Sequence, residues 1–185
     1  MILGIAGTIG AGKGTVVEYL KSKGFAHYSS SAVLAQILTE RGELPIRANL
    51  SNLANELNRT HEGGVLAISH NIAQAAGHEH YILESLHRVS EAEYIKKLGG
   101  VILGIDADVR VRYDRASARK EGLKDEVTFE QFLSDSERED EGKTGSGPNI
   151  KAVITMADYT IANNGTLEEL YDQIEAFLHQ YHPKL

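Results

Sequence analysis

The first two dozen residues restrict this chain more than anything that follows them. An apolar run over residues 2–6 enters a segment with glycine at positions 7, 10, 12 and 14, and Val16, Val17, Tyr19 and Leu20 then recur at helical spacing up to Gly24. That order reads as strand, glycine loop, helix. Glycines let backbone amides converge on an anion while a helix begins beneath them, so residues 7–15 suit a polyphosphate. Lys13 is the expected point charge for the β- and γ-phosphates of ATP, and the Thr15 hydroxyl is the expected Mg²⁺ ligand. Gly10, Ala11, Gly12, Lys13, Gly14 and Thr15 are therefore read as the nucleotide cradle. The usual pattern places Ser or Thr directly after the lysine, whereas here Gly14 intervenes.

Beyond the loop, short apolar runs alternate with helical patterns. Residues 25–28, 81–83, 101–105 and 159–162 are strand candidates, and the third of the five strands ends on Glu84. Helices are expected over residues 31–41, around Leu50, Leu53 and Leu57, and around Val65 and Ile72. Further helices are expected after a Ser90/Glu93 capping box, after Asp108, after Thr128 with Gln131, and after Thr166 with Glu169. Such alternation implies an α/β fold with a five-stranded parallel sheet, helices on both faces and ligands at the carboxyl ends of the strands. Residues 141–148 read as a surface loop, since a strand and a helix still follow.

Bulk properties remove several function classes. A net charge of −7 over 185 residues disfavours general attraction to nucleic acid or anionic lipid. There are no cysteines, which excludes disulfides and thiolate chemistry. No stretch approaches the ~18 apolar residues of a membrane span, and the start lacks the flank of a signal peptide, so a cytoplasmic protein is expected, monomeric or homodimeric. His78 and His80 flank Glu79 with spacing poorly suited to zinc. A GTPase should carry Asn-Lys-x-Asp, which is missing; AAA-type and motor ATPases usually end the third strand in paired acids, where this chain has a single Glu84. A small kinase is the expectation.

The Gly12-Lys13-Gly14-Thr15 segment resembles that of adenylate kinases and other nucleoside monophosphate kinases, with Ile9 standing where they commonly have proline. Over nearly the whole chain the order of segments is similar to that of small P-loop kinases, including dephospho-coenzyme A kinases and an uncharacterised archaeal group of predicted nucleotide kinases. The pieces that carry it include Arg41-Gly42, Asn55-Glu56-Leu57, Gly64-Val65-Leu66-Ala67, Arg88 after the third strand, Val109-Arg110-x-Arg112-Tyr113-x-Arg115, and Ala157-Asp158-Tyr159 through Asn163-Asn164-Gly165-Thr166. The resemblance implies a single three-layer P-loop domain over residues 1–185, with a helical acceptor-binding insertion near residues 30–78 and a small lid near 115–128. It also implies that Asn163 and Gly165 lie in the adenine-contacting loop, which on the residues alone could equally be a simple turn.

The acceptor is read from charge. Arg112, Arg115 and Arg119 share one helical face and could converge over the phosphates as lid arginines, or form a solvated basic face. The resemblance implies an acceptor-phosphate arginine where Ala35 stands, so Arg41, Arg47 and Arg88 are the candidates to replace it, with Ser31 as a further acceptor contact or a helix cap. A phosphate acceptor can attack without a base, and residues 29–32 hold no acid of the kind that dephospho-coenzyme A kinases place there, so a small nucleotide-like acceptor is favoured. Lys13, Glu84, Arg88, Arg115 and Arg119 form the expected catalytic set. Glu84 could instead serve a hydroxyl acceptor as base, or position Mg²⁺ through water; a non-catalytic ATP sensor is the remaining alternative.

Overall fold

A computed structural model describes residues 1–84, 86–119, 128–141 and 148–182, with the side chains of 119 and 138–141 outside that description. Five strands, β1 (Ile2–Gly7), β2 (Ala26–Ser29), β3 (Tyr81–Glu84), β4 (Val101–Asp106) and β5 (Tyr159–Ala162), form one parallel sheet in the order β2-β3-β1-β4-β5. The central strand β1 is therefore flanked by β3 and β4, and its end lies between theirs.

The side-chain alternation of the strands separates two cores. Leu3, Ile5, Ile82, Leu103 and Ile105 pack on one face against helices α1 (Lys13–Ser22) and α9 (Leu167–Tyr181), with Phe177 and Ile174 fully buried. Ala6, Tyr81, Leu83 and Ile102 pack on the other face, against α4 (Gly64–Ala75), α5 (Val89–Lys97) and α8 (Ile150–Thr155). A third cluster is separate. Val33, Leu34 and Leu38 of α2 (Ser30–Glu40) meet Leu53 and Leu57 of α3 (Arg47–Thr60) and Val65 of α4, so the helical region after β2 carries its own small core. No described helix is long and apolar enough to cross a membrane.

The expected α/β fold with a five-stranded parallel sheet is the one observed, and two local expectations are corrected. Helix α5 does not open with the Ser90/Glu93 box: the Glu91 carboxylate accepts from the His87 and Arg88 amides at 2.7 and 3.1 Å, so the helix begins at Val89. Helix α8 is an element that the strand-and-helix reading lacked. Its cap is the Asn149 side chain, which accepts from the Ala152 amide at 2.9 Å, and Ile150 and Val153 are buried beneath the sheet. Thr166 and Glu169 do form a capping box at α9. Helices α6 (Val109–Arg119) and α7 (Phe129–Glu141) flank residues 120–127, so most of the expected lid lies outside the described residues.

Because the α2–α4 core is separate from those under the sheet, Leu53→Ala should cost about 2–5 kcal/mol concentrated in that region. Hydrogen exchange should then show α2, α3 and α4 losing protection ahead of β1, β3 and β4.

Candidate nucleotide site

Between β1 and α1 the chain turns through residues 8–12, with Gly10 and Gly12 at φ +78° and +97°. Both positions need glycine for a second reason. A Cβ on Gly10 would collide with the carbonyl oxygen of Arg112, and one on Gly12 with the amide nitrogen of the Asn163 side chain. The loop is tied from several sides. Thr8 Oγ1 donates to Asp106 Oδ1 at 2.8 Å from the end of β4, and Asn163 Nδ2 donates to the Ala11 carbonyl at 2.8 Å from the end of β5. Lys13, the first residue of α1, donates through Nζ to the Gly7 and Thr8 carbonyls at 2.7 and 3.1 Å, which lays its ammonium along the loop.

The residue set fits a magnesium nucleotide. Amides in the first turn of a helix have no intrahelical acceptor, and two left-handed glycines just before that turn curve the preceding backbone into a concave anion cradle. Gly14 has open space where a Cβ would be, and Thr15 is exposed in the same turn, so its hydroxyl is available to a hydrated cation.

Glu84 closes the neighbouring strand. Its Oε2 lies 2.7 Å from His27 Nε2 on β2, and its carbonyl accepts from Ser30 Oγ at 2.8 Å. The hydrogen bond from His27 holds the carboxyl below its ordinary value against the opposing effect of burial, and the charge of Lys13 acts in the same direction. Glu84 is therefore ionised at neutral pH. His87, just beyond, is pushed down to about 4, first by burial and then by the charges of Lys13 and Arg88, so it is a neutral imidazole. Sequence reasoning missed His27, His87 and Thr8. Only the strand alternation that sends His27 and Glu84 toward one another could have paired the first, and nothing local marks the other two.

The proposed acceptor residues do not form one group. Arg88 reaches from the β3–α5 junction to α3, donating through Nη2 to Asn55 Oδ1 at 2.8 Å, with Nη1 3.7 Å from Glu91. Arg41 pairs with Glu56, the next residue of α3, in an exposed contact at 3.3 Å. Arg47 is exposed at the start of α3. Ser31 is exposed with its Oγ 2.9 Å from that of Ser29, and no serine there accepts a cap bond.

The lid-arginine expectation changes more. Arg115 donates to the Asn163 carbonyl at 2.7 Å and more weakly to Asn163 Oδ1 and the Gly165 carbonyl, so it braces the loop after β5. Arg112 is buried rather than turned to solvent. Helical periodicity placed the two on one face, but it could not show that they reach the loop after β5 and the phosphate loop. The Arg119 side chain lies outside the described residues.

A parallel sheet of order 2-3-1-4-5 with a glycine cradle between β1 and a helix bearing Lys13 defines a P-loop protein of kinase-like fold. Comparison with known proteins agrees: residues 3–142 match the family model described as AAA domain, and the chain belongs to that family. The chain is similar along its length to a UPF0200 protein of Hyperthermus butylicus, 28% identical over 96% of this chain and 93% of that protein. It is equally similar to one of Sulfurisphaera tokodaii, at 28% over 96% and 95%. Among solved structures it shares its fold with TT1252 from Thermus thermophilus (TM-score 0.65, 22% identity, 98% and 97% coverage). Dephospho-CoA kinase from Campylobacter jejuni aligns at TM-score 0.58 with 15% identity, covering 100% and 98%. Shikimate kinase from Acinetobacter baumannii in complex with shikimate aligns at TM-score 0.58 with 19% identity, covering 100% and 94%.

His87 gives a pH signature. Its folded pKa lies below the ordinary histidine value, so the unfolded chain binds the extra proton between about pH 6.5 and 4 and stability falls as pH drops through that window. The loss should total about 3 kcal/mol and should be largely absent in His87→Gln, as measured by urea unfolding at stepped pH.

Proposed function

We propose that this protein is an ATP- and Mg²⁺-dependent phosphotransferase of the nucleoside monophosphate kinase type, moving the γ-phosphate of ATP to the phosphate of a small nucleotide. One observation carries the reading: two adjacent strands are followed by cations directed to different regions, the glycine loop and the helical insertion. Lys13 follows β1 on the phosphate cradle, while Arg88 follows β3 and points into the helical region at Asn55. Residues 30–78 then form the acceptor side.

In the transfer an acceptor phosphate oxygen attacks Pγ, the bond from Pγ to the bridging oxygen of ADP breaks, and no proton need be removed. Thr15 would hold Mg²⁺, which when bound would neutralise negative charge on the transferring phosphates. Arg88 would exchange Asn55 for the acceptor phosphate, to which its planar fork can make two bonds. Arg41, Arg47 and Ser31 stand further out as secondary acceptor contacts. Asn163 and Gly165 shape the loop beside the adenine, with Arg115 holding that loop, and Arg119 remains a candidate lid cation.

A panel of nucleoside monophosphates, nucleosides and dephospho-coenzyme A, scored by ADP release and product mass, tests this directly. Turnover should rise with one or more monophosphates, and Lys13→Ala should lose roughly a hundredfold or more of it. Full activity in that variant would remove the proposed role of the loop. ATP binding without acceptor-stimulated turnover would point to a nucleotide sensor instead.

A second reading is favoured by the ionised Glu84 beside His27 and under the influence of Lys13. There Glu84 accepts the proton of a hydroxyl acceptor as its oxygen attacks Pγ. In that case Glu84→Gln should lower kcat by about 10²–10⁴ and abolish the acid limb of the pH–rate profile, a limb that lies below the ordinary carboxylate range because the native pKa is lowered. A variant with the wild-type pH profile would remove this reading.

A further inference from the structure

We infer that Arg112 is a positioning residue for nucleotide binding, one that aims the amides of the phosphate loop from behind; the inference rests on the ATP reading above. The guanidinium belongs to α6 but is buried, with 6% of the residue exposed. Nε donates to the Ala107 carbonyl at 3.0 Å, at the end of β4. Nη1 donates to Ser136 Oγ on α7 at 2.8 Å and to the Ile9 carbonyl in the phosphate loop at 3.4 Å. The Phe132 ring of α7 stacks beside it, 5.9 Å from the guanidinium carbon. Its backbone takes part as well, since Gly10 approaches the Arg112 carbonyl so closely that no side chain fits between.

Peptide geometry turns this contact into a function. Across a trans peptide the C=O of one residue and the N–H of the next point in opposite directions. Holding the Ile9 carbonyl toward Arg112 therefore sends the Gly10 N–H the other way, into the concave side of the loop. Asn163 does the same two peptides later, where its bond to the Ala11 carbonyl directs the Gly12 N–H. A cation at the carbonyl end also polarises the peptide, which makes its N–H a stronger donor to phosphate oxygen. Lysine could supply the charge at this position. It could not supply three donors in a fixed plane, so the geometry calls for arginine.

Ser136 makes the inference specific. It is buried on α7, and its hydroxyl accepts from Arg112 Nη1, which orients the guanidinium. Its hydroxyl thus acts through Arg112, and removing it leaves the charge and the Ala107 bond in place.

The test is isothermal calorimetry with ATP and Mg²⁺ on the full chain, with a thermal melt of each variant to define the folded fraction. Arg112→Met should weaken binding about ten- to hundredfold, Arg112→Lys should recover part of the loss, and Ser136→Ala should weaken binding about three- to tenfold. Any acceptor found active should keep its KM in Ser136→Ala while the KM for ATP rises. Folded Arg112→Met or Ser136→Ala protein that binds ATP and Mg²⁺ as tightly as wild type overturns the inference, whatever its melting temperature. If Arg112→Met does not fold, Ser136→Ala decides alone. Wild-type protein that gives no heat overturns the ATP reading and this inference together, whereas wild-type heat matched by the variants overturns only the inference.

Discussion

A phosphate cradle requires backbone amides to face the ligand, and each such amide has a carbonyl partner in the same peptide plane that must find a donor on the other side. Much of the site here is explained by where those carbonyls go. Ile9 O is taken by Arg112, Ala11 O by Asn163, and Gly7 O and Thr8 O by Lys13. Asp106 adds a tether on the Thr8 hydroxyl. The donors come from α6, from the end of β5 and from α1, so the loop has its shape only when the sheet and both flanking helices are assembled. An isolated glycine-rich segment of the same sequence would pay the ordering entropy without these partners.

The sheet order makes that assembly compact. With β1 in the centre, the loop that follows it is bounded by the end of β3 on one side and the ends of β4 and β5 on the other. The β4 and β5 side supplies Asp106, Asn163 and, through α6, Arg112, all engaged in fixing the loop, with Arg115 bracing Asn163 in turn. The β3 side supplies Arg88 together with Glu84, kept ionised chiefly by the hydrogen bond from His27, and His87, kept neutral chiefly by burial. One side of the loop is thus occupied with positioning. The other holds two charged groups, Glu84 and Arg88, with the neutral His87 between them in the chain.

What the sequence revealed and what it hid divide along the same line. The five strands, the glycine loop and the α9 capping box depend on local pattern, and Ile2, Leu3, Ile5 or Thr166 and Glu169 display it within a few residues. The His27–Glu84 contact joins residues 57 apart, and the Arg112–Ile9 contact residues 103 apart. No short-range signal distinguishes a buried arginine of this kind from one on a solvated stripe, because helical periodicity reports a shared face and not what covers it. Helix α8 was legible in principle: Ile150, Val153 and Ile154 fall at helical spacing behind Pro148-Asn149, but at six residues the element is shorter than a periodicity argument usually resolves. The start of α5 was misplaced because a nearby Ser90/Glu93 pair mimics a box, while Glu91 satisfies the amides from a position that the box pattern does not single out.

Arg88 and Glu84 weigh on the acceptor in opposite ways, and their partners help to rank them. Arg88 donates to a neutral amide, Asn55, and lies 3.7 Å from the Glu91 carboxylate, with a planar fork suited to two phosphate oxygens. Glu84 is held at 2.7 Å by His27, and its carbonyl is fixed by Ser30. A base with a lowered pKa is also a weaker one, since the same hydrogen bond that keeps the carboxylate ionised reduces its appetite for a proton. The firmly held carboxylate is therefore a poor base for a hydroxyl. The position of Glu84 at a strand end beside the cradle is compatible with a separate duty, orienting water on the metal ion rather than taking a proton from the acceptor.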